Sequence, residues 1–122
     1  MSASILIVDD STSIRVAIRM ALTGAGYTVS EAADGAQGLS KASGSRFDMI
    51  ITDLNMPNMD GLSMIRALRK NPAQCGTPIL FLTTESEDAM KQQAKAAGAT
   101  GWLVKPFVPE QLVRVVRKVL GR

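Results

Sequence analysis

Short apolar runs recur along the chain, and each is followed at once by polar or charged side chains. Apolar runs of strand length are typical of parallel strands that helices cover on both faces. Residues 5–8, 48–53, 78–82 and 101–104 fit this pattern, whereas residues 27–32 alternate between apolar and polar positions. The sequence therefore predicts five strands, and the alternation places the second at an edge of the sheet.

The segments between these strands repeat apolar residues every three or four positions, which predicts helices with one buried face. The second helix, near residues 36–42, contains Gly38, and the fourth, residues 85–97, has only a thin apolar stripe. The candidate N-caps are Ser11, Thr12 and Ser13 for the first helix and Asp34 for the second. The predicted core positions of the other helices are Ile14, Ala17, Ile18, Ala21, Leu22 and Ala25; Leu62, Ile65 and Leu68; and Leu112, Val115, Val116, Val119 and Leu120.

Five strands that alternate with five helices indicate an α/β fold, a single (βα)5 doubly wound parallel sheet with right-handed crossovers. The expected strand order is 2-1-3-4-5, as in flavodoxin-like folds. The first and third strands are then neighbours, and the carboxyl ends of all five meet at one edge of the sheet. Residues 1–122 are expected to form one domain with no output domain.

The composition narrows the class of protein. The 122 residues are 46% apolar and 20% charged, as expected for one globular domain. There is no His, which excludes an imidazole base and a His-ligated zinc or copper site. Cys75 is the single cysteine, so an internal disulfide is excluded and a reducing compartment fits. Residues 1–4 do not have the basic character expected of a signal peptide, no apolar run is long enough to span a membrane, and the net charge is only +3. We therefore expect a cytoplasmic monomer without membrane insertion or direct nucleic-acid binding.

Charged and hydroxyl side chains meet at the carboxyl edge of the predicted sheet. Asp9, Asp10 and Asp53 follow two neighbouring strands. Thr83 and Lys105 follow the next two strands along the chain. Three carboxylates so close together repel one another unless some are protonated or a cation is bound. Oxygen ligands of this kind suit Mg²⁺, and the alternative is that the first two aspartates only cap the first helix.

Four segments at the ends of the runs share their order and spacing with a known family. They are Asp9-Asp10, Asp53-Leu54-Asn55-Met56-Pro57, Thr83 and Lys105-Pro106-Phe107. In these segments the chain resembles the receiver domain of response regulators, and most of all the stand-alone regulators of chemotaxis. The resemblance covers residues 5–120. One such segment is a weak signal, but all four in order are highly specific.

The resemblance implies that Asp53 is a nucleophile, which accepts a phosphoryl group from a phosphohistidine on a sensor histidine kinase. It implies a Mg²⁺ ion held by the side chains of Asp10 and Asp53 and by the main-chain oxygen of Asn55. Asp9 would act largely through bound water. The family also has a cis peptide bond at the position of Lys105–Pro106, which would help to aim the lysine.

The resemblance further implies how the phosphoryl group is contacted and how the signal leaves the site. The ammonium of Lys105 and the hydroxyl of Thr83 would contact the phosphoryl oxygens. The main-chain N–H groups of Asn55 and Thr84 would add donors. Thr83 would then move toward the phosphoryl group, and Trp102 would swing inward as the switch aromatic. The family more often has Tyr or Phe at that position.

The same resemblance suggests the function and its partners. The chain is expected to be a phosphoacceptor with slow self-dephosphorylation, not an enzyme. Its expected donor is a sensor histidine kinase of the chemotaxis type. The expected output partner is a flagellar motor switch protein or a histidine phosphotransfer protein. A phosphate sink and a phosphorelay intermediate stay open as alternatives to a motor regulator.

Other functions of the same fold class fit the sequence less well. A flavodoxin-like cofactor binder needs a neutral phosphate loop after the first strand, where this chain has two aspartates. A phosphatase with an aspartate nucleophile needs a second Asp two residues after the first, and Asn55 stands there. No Walker loop is present, so ATP is not the direct donor. A DNA-binding regulator would need a helix-turn-helix module, for which no residues remain.

Overall fold

The computed structural model describes residues 3–53, 59, 61–72, 76–84 and 88–121. Strands and helices alternate strictly along this part of the chain. The elements are β1 (Ser4–Val8), α1 (Thr12–Gly24), β2 (Thr28–Ala32), α2 (Gly35–Gly44), β3 (Met49–Asp53), α3 (Gly61–Lys70), β4 (Ile79–Thr84), α4 (Asp88–Ala97), β5 (Gly101–Lys105) and α5 (Pro109–Leu120).

The five strands form one sheet in the order β2-β1-β3-β4-β5, and every pair is parallel. This confirms the predicted fold class and strand order. The register pairs Val8 with Thr52 and Asp53 with Leu82. The carboxyl ends of β1, β3, β4 and β5 therefore lie side by side at one edge.

Two apolar cores lie on opposite faces of the sheet. The apolar side chains of the central strand β3 are divided between the two cores, because successive side chains of a strand point to opposite faces of the sheet. The core beneath α1 and α5 includes Ile5, Ile7, Ile18, Leu22, Ile51, Leu80, Leu82, Leu103, Leu112 and Val116. The core beneath α2, α3 and α4 includes Leu6, Val8, Ile50, Met64, Ile65, Leu68, Ile79, Phe81 and Ala94. None of the helices in the described part of the chain combines the length and apolar character needed to cross a bilayer.

Helix starts follow the predicted caps. Ser11 is the N-cap of α1, and its hydroxyl accepts a hydrogen bond from the N–H of Ile14 at 3.3 Å. Asp34 caps α2 and accepts from the N–H of Gln37 at 2.8 Å.

The assignment of Ala17 to the core face of α1 is wrong, because this residue is exposed. It lines an open apolar groove toward Phe107, so the buried stripe of the helix is narrower than the spacing suggests.

The second helix is longer than predicted, and Gly38 in its middle has a packing role. A Cβ atom built on Gly38 would lie 2.8 Å from a methyl group of Val8 and 3.0 Å from the sulfur of Met64. Glycine therefore lets α2 approach the sheet closely at the cost of helix propensity. The fourth helix is observed from Asp88, and the predicted start over residues 85–87 lies outside the described residues.

Candidate phosphoacceptor and metal site

Asp9 lies directly after β1 and is completely buried. Its main-chain N–H donates to the carbonyl oxygen of Ala32 at 3.1 Å, which continues the pairing of β1 with β2. One carboxylate oxygen, Oδ1, accepts from the N–H of Ser11 at 2.8 Å. The other, Oδ2, lies 3.2 Å from the Nζ of Lys105. Asp9 therefore holds the main chain just before α1 and also faces the crevice. The helix cap itself is Ser11, so capping does not explain Asp9.

Asp53 is the last residue of β3, and 8% of its surface is exposed. The Nζ of Lys105 donates to its Oδ2 at 3.0 Å. Lys105 ends β5, so its long side chain spans the width of β4 to reach both carboxylates. The structure thus brings together Asp9, Asp53 and Lys105, as the sequence predicted.

Asp10 completes an acidic cluster with the other two aspartates. One carboxylate oxygen from each of Asp9, Asp10 and Asp53 lies within 4.8 Å of the other two. Asp10 is the exposed member, whereas both oxygens of Asp9 already accept hydrogen bonds. A cluster of three carboxylates with one member open to solvent fits a hard, oxygen-seeking cation such as Mg²⁺, which keeps part of its water shell.

Burial and neighbouring charges shift the pKa values of Asp9 and Lys105. Burial raises the pKa of Asp9, and the charge of Asp53 adds to this, while the Ser11 N–H and the Lys105 ammonium lower it; the balance lies above the ordinary value. Burial alone would lower the pKa of Lys105. The hydrogen bond and charge of Asp53, with the charge of Asp9, outweigh burial and raise it. Lys105 is therefore a firmly protonated cation between two carboxylates.

Thr83 and Trp102 lie close to this site in the sheet. Thr83 is buried, with 2% of its surface exposed, and it pairs in register with Val104 of β5. Thr84 pairs with Lys105, which places its main chain at the same edge. Trp102 is 42% exposed, and its ring stacks on that of Phe81 with centroids 6.0 Å apart.

Strand alternation divides the site residues between the two faces of the sheet. Lys105 follows the buried Leu103 by two positions and so belongs to the face of α1 and α5. Asp9 follows the buried Ile7 by two positions and Asp53 follows the buried Ile51 by two positions, so both aspartates lie on the same face as Lys105. Thr83 lies two positions after Phe81 and belongs to the face of α4, as does Trp102.

One predicted ligand falls outside the description. Asn55, expected to offer its main-chain oxygen and N–H, belongs to residues 54–58, which are not among the described residues. The Lys105–Pro106 peptide bond is cis, as the resemblance implied.

Arg15 was not predicted to belong to the site. The apolar spacing of α1 leaves Arg15 and Arg19 off its core face and indicates no partner for either. In the structure, the guanidinium of Arg15 donates to the main-chain oxygen of Asp9 and lies 3.3 Å from Glu31 of β2. Because Glu31 lies on another element and is 16 positions away, no local sequence pattern indicates this pairing.

Comparison with known proteins shows which proteins this chain is similar to. A family model described as the response regulator receiver domain matches residues 5–117. The transcriptional regulatory protein ResD of Bacillus subtilis is 38% identical over 118 residues, which are 97% of this chain and 48% of ResD. The chain thus spans about half the length of that relative.

Among the solved structures that are similar over nearly the whole chain, two bear on the site. The chemotaxis response regulator CheY4 of Vibrio cholerae is 50% identical, with a TM-score of 0.94 over 98% of this chain and 99% of that one. The receiver domain of the sensor histidine kinase PA1611 from Pseudomonas aeruginosa PAO1 is 30% identical, with a TM-score of 0.92 over 100% of both chains. That structure has a magnesium ion coordinated in its active site cleft.

Proposed function

The chain belongs to the response regulator receiver domain family, and on that premise we propose that it accepts a phosphoryl group on Asp53 from a sensor histidine kinase. The observation that supports this most directly is the contact of one lysine ammonium with two carboxylates at the strand ends. A strand-end carboxylate beside a fixed cation has both the nucleophile and part of the charge neutralisation that phosphoryl transfer needs.

The placement of Asp53 suits a nucleophile. Its main chain is paired in register with Leu82 of β4, and the preceding residue Thr52 is paired with Val8 of β1, while its side chain keeps a small exposed surface. In the proposed reaction, a carboxylate oxygen of Asp53 attacks phosphorus and the bond from phosphorus to the kinase histidine nitrogen breaks. Lys105 stabilises the transferred negative charge, because its ammonium already lies 3.0 Å from Oδ2.

Asp10 and Asp53 are the residues that would hold Mg²⁺ by their side chains. When bound, Mg²⁺ neutralises charge on the phosphoryl oxygens and helps to orient them. The chain itself prepares this place by fixing Asp9 with hydrogen bonds from Ser11 and Lys105, so that Asp10 projects from a held loop into solvent. The hydroxyl of Thr83, which belongs to the other face of the sheet, would contact a phosphoryl oxygen.

The physiological role that we propose is a cytoplasmic step in chemotaxis signalling. The similarity to CheY4 supports this role, and the similarity to ResD shows that receivers of comparable identity also serve transcriptional regulators. The phosphorylated form would change the affinity of a partner-binding surface and lose its phosphoryl group slowly. A phosphate sink or a phosphorelay intermediate would use the same acceptor without a motor partner.

Replacement of the acceptor tests the proposal. The variant Asp53→Asn keeps the shape of the side chain but removes the nucleophile, so we expect no acid-labile phosphate after incubation with acetyl phosphate and Mg²⁺ or with a phosphorylated kinase. Asp48→Asn is the matched control, because Asp48 precedes the same strand at its opposite end, where it accepts from the N–H of Ser4. Labelling of Asp53→Asn equal to that of the control would refute the assignment.

The choice of partner needs a second measurement. Phosphorylated protein should retain a flagellar motor switch protein in a pull-down, and unphosphorylated protein should not. Retention of a histidine phosphotransfer protein instead would favour a relay. If neither is retained, a phosphate sink becomes the better account of the acceptor.

A further inference from the structure

The main chain at Asp9 is held from outside the site by Arg15. Arg15 lies on α1, and the Nη1 atom of its guanidinium donates to the carbonyl oxygen of Asp9. Its Nε lies 3.3 Å from Oε1 of Glu31, and its Nη2 lies 3.3 Å from the hydroxyl of Thr12. The side chain is largely buried, with 15% of its surface exposed. These three contacts fix the position of the guanidinium.

These contacts complete the hydrogen bonding of Asp9. Its N–H donates to Ala32, its two carboxylate oxygens accept from Ser11 and Lys105, and its carbonyl oxygen accepts from Arg15. The carbonyl of Asp9 and the N–H of the next residue share one planar peptide unit. A donor on that carbonyl therefore fixes the direction in which the chain enters Asp10.

We propose that Arg15 is a positioning residue for the metal site, which acts by orienting the Asp9–Asp10 peptide so that the exposed carboxylate of Asp10 faces Asp53. Glu31 holds the guanidinium in place from β2 and is in turn contacted by Arg19, whose Nη1 lies 2.7 Å from Oε2. This inference rests on the proposed Mg²⁺ site.

Positioning and simple electrostatics make opposite predictions for removal of Arg15. A cation near three carboxylates repels Mg²⁺, so loss of its charge alone would strengthen Mg²⁺ binding. Loss of its hydrogen bond to the Asp9 carbonyl would leave Asp10 free to point elsewhere, which would weaken binding. Outer-shell groups that orient metal ligands typically change metal affinity by about tenfold or more when removed.

The experiment compares Mg²⁺ affinities of four proteins, each obtained from the rise of the unfolding temperature with Mg²⁺ concentration. We expect Arg15→Ala to bind Mg²⁺ about tenfold more weakly than the wild type. Arg15→Lys keeps the charge but has no fork to reach the Asp9 carbonyl and Glu31 together, so it should also bind weakly. Arg19→Ala is the matched control, because it removes one positive charge from the same helix and the same glutamate without touching Asp9.

Structural readouts separate positioning from unfolding. Each variant should keep the far-UV circular dichroism of the wild type, and the amide NMR signal of Asp10 should move in metal-free Arg15→Ala but not in Arg19→Ala. Equal or tighter Mg²⁺ binding by Arg15→Ala would overturn the inference while leaving the proposed function intact. If the wild type itself gains no stability from Mg²⁺, the proposed metal site fails instead.

Discussion

The two faces of the sheet prepare its carboxyl edge in different ways. On the face of α1 and α5, Asp9 and Asp53 are buried and already joined by Lys105. On the face of α4, Thr83 is buried, whereas Trp102 and Val104 of the neighbouring strand β5 keep 42% and 38% of their surface exposed. One face therefore holds paired charges, and the other holds apolar surface that could still be covered.

This difference suggests a division of work within one site. Phosphoryl transfer needs charges that are fixed before the reaction, because preorganised groups need no rearrangement as the negative charge develops. A switch needs a group with two arrangements of similar free energy, and a half-exposed aromatic beside a buried hydroxyl meets that need better than a locked ion pair. Each of the following predictions disturbs one face and asks whether the other responds.

The largest expected effect follows from removal of the cation that joins the two carboxylates. In Lys105→Met the stem keeps its packing, but two buried carboxylates lose their partner. We expect the metal-free protein to lose about 3 kcal/mol of unfolding free energy, as is usual when one partner of a buried ion pair is removed. Mg²⁺ should restore more stability to this variant than to the wild type, because it replaces the missing positive charge.

The control for that variant is Lys118→Met, which makes the same change in charge on an exposed part of α5. Its unfolding free energy in denaturant titrations should stay within about 0.5 kcal/mol of the wild type. Equal losses in the two variants would mean that the Lys105 contacts contribute no specific stability and that the charged face is not prepared in advance.

The second prediction sharpens the metal assignment on the same face. Mg²⁺ at a hundredfold excess over its Kd should stabilise the wild type by about 2.7 kcal/mol. Asp10→Ala should lose most of this gain, because Asp10 is the exposed member of the cluster. Thermal unfolding with and without Mg²⁺ measures the difference. The same gain in both proteins would exclude Asp10 as a ligand.

Much of this charged face could be predicted because it depends on rules that act locally. An apolar run predicts a buried strand, parallel strands align their carboxyl ends, and the residue after each run must then lie at the shared edge. Asp9, Asp53 and Lys105 were found in this way. The particular carboxylate oxygen that accepts each hydrogen bond could not be predicted, because it depends on the side-chain geometry of elements far apart in sequence.

The positions that sequence analysis missed share a dependence on packing between elements. Gly38 lowers helix propensity, and only the closeness of Val8 and Met64 explains its presence. Ala17 has core spacing but lines an open groove. Arg15 contacts Asp9, which follows β1, and Glu31 of β2, and the helical period of α1 cannot indicate what lies opposite that side of the helix.

The third prediction concerns pH and the buried Asp9. Its pKa is raised in the folded protein, so the folded state holds the proton more tightly than the unfolded chain. The resulting stability is present below the ordinary value of 3.8 and is lost as the pH rises through the folded value. Near neutral pH the ionised Asp9 therefore destabilises the metal-free protein.

Asp9→Asn removes this ionisation and should therefore unfold at a higher temperature than the wild type at neutral pH in EDTA. The difference should shrink as the pH falls through the raised pKa of Asp9 toward the ordinary value of 3.8, because the wild-type carboxyl then takes up its proton. A difference that is constant with pH would contradict the sign of the shift.

The smallest expected effect tests whether the charged face controls the apolar one, since it breaks no bond and only redistributes two conformations. Beryllofluoride with Mg²⁺ would mimic the phosphoryl group that we propose on Asp53. Movement of Thr83 toward it would open space beside Trp102 on the same face, and a coupling of about 1 kcal/mol would be typical. We therefore expect Trp102 emission to shift to shorter wavelength and to be quenched less by acrylamide, as its exposed fraction falls below 42%. Backbone NMR signals should move across residues 84–120.

In Lys105→Met the mimic should still bind while the Trp102 response weakens, because the charge on Asp53 loses its link to β5. Shifts confined to Asp9, Asp10, Asp53 and their adjoining loops would show that the two faces are independent, and a phosphate sink would then explain the charged face without any switch.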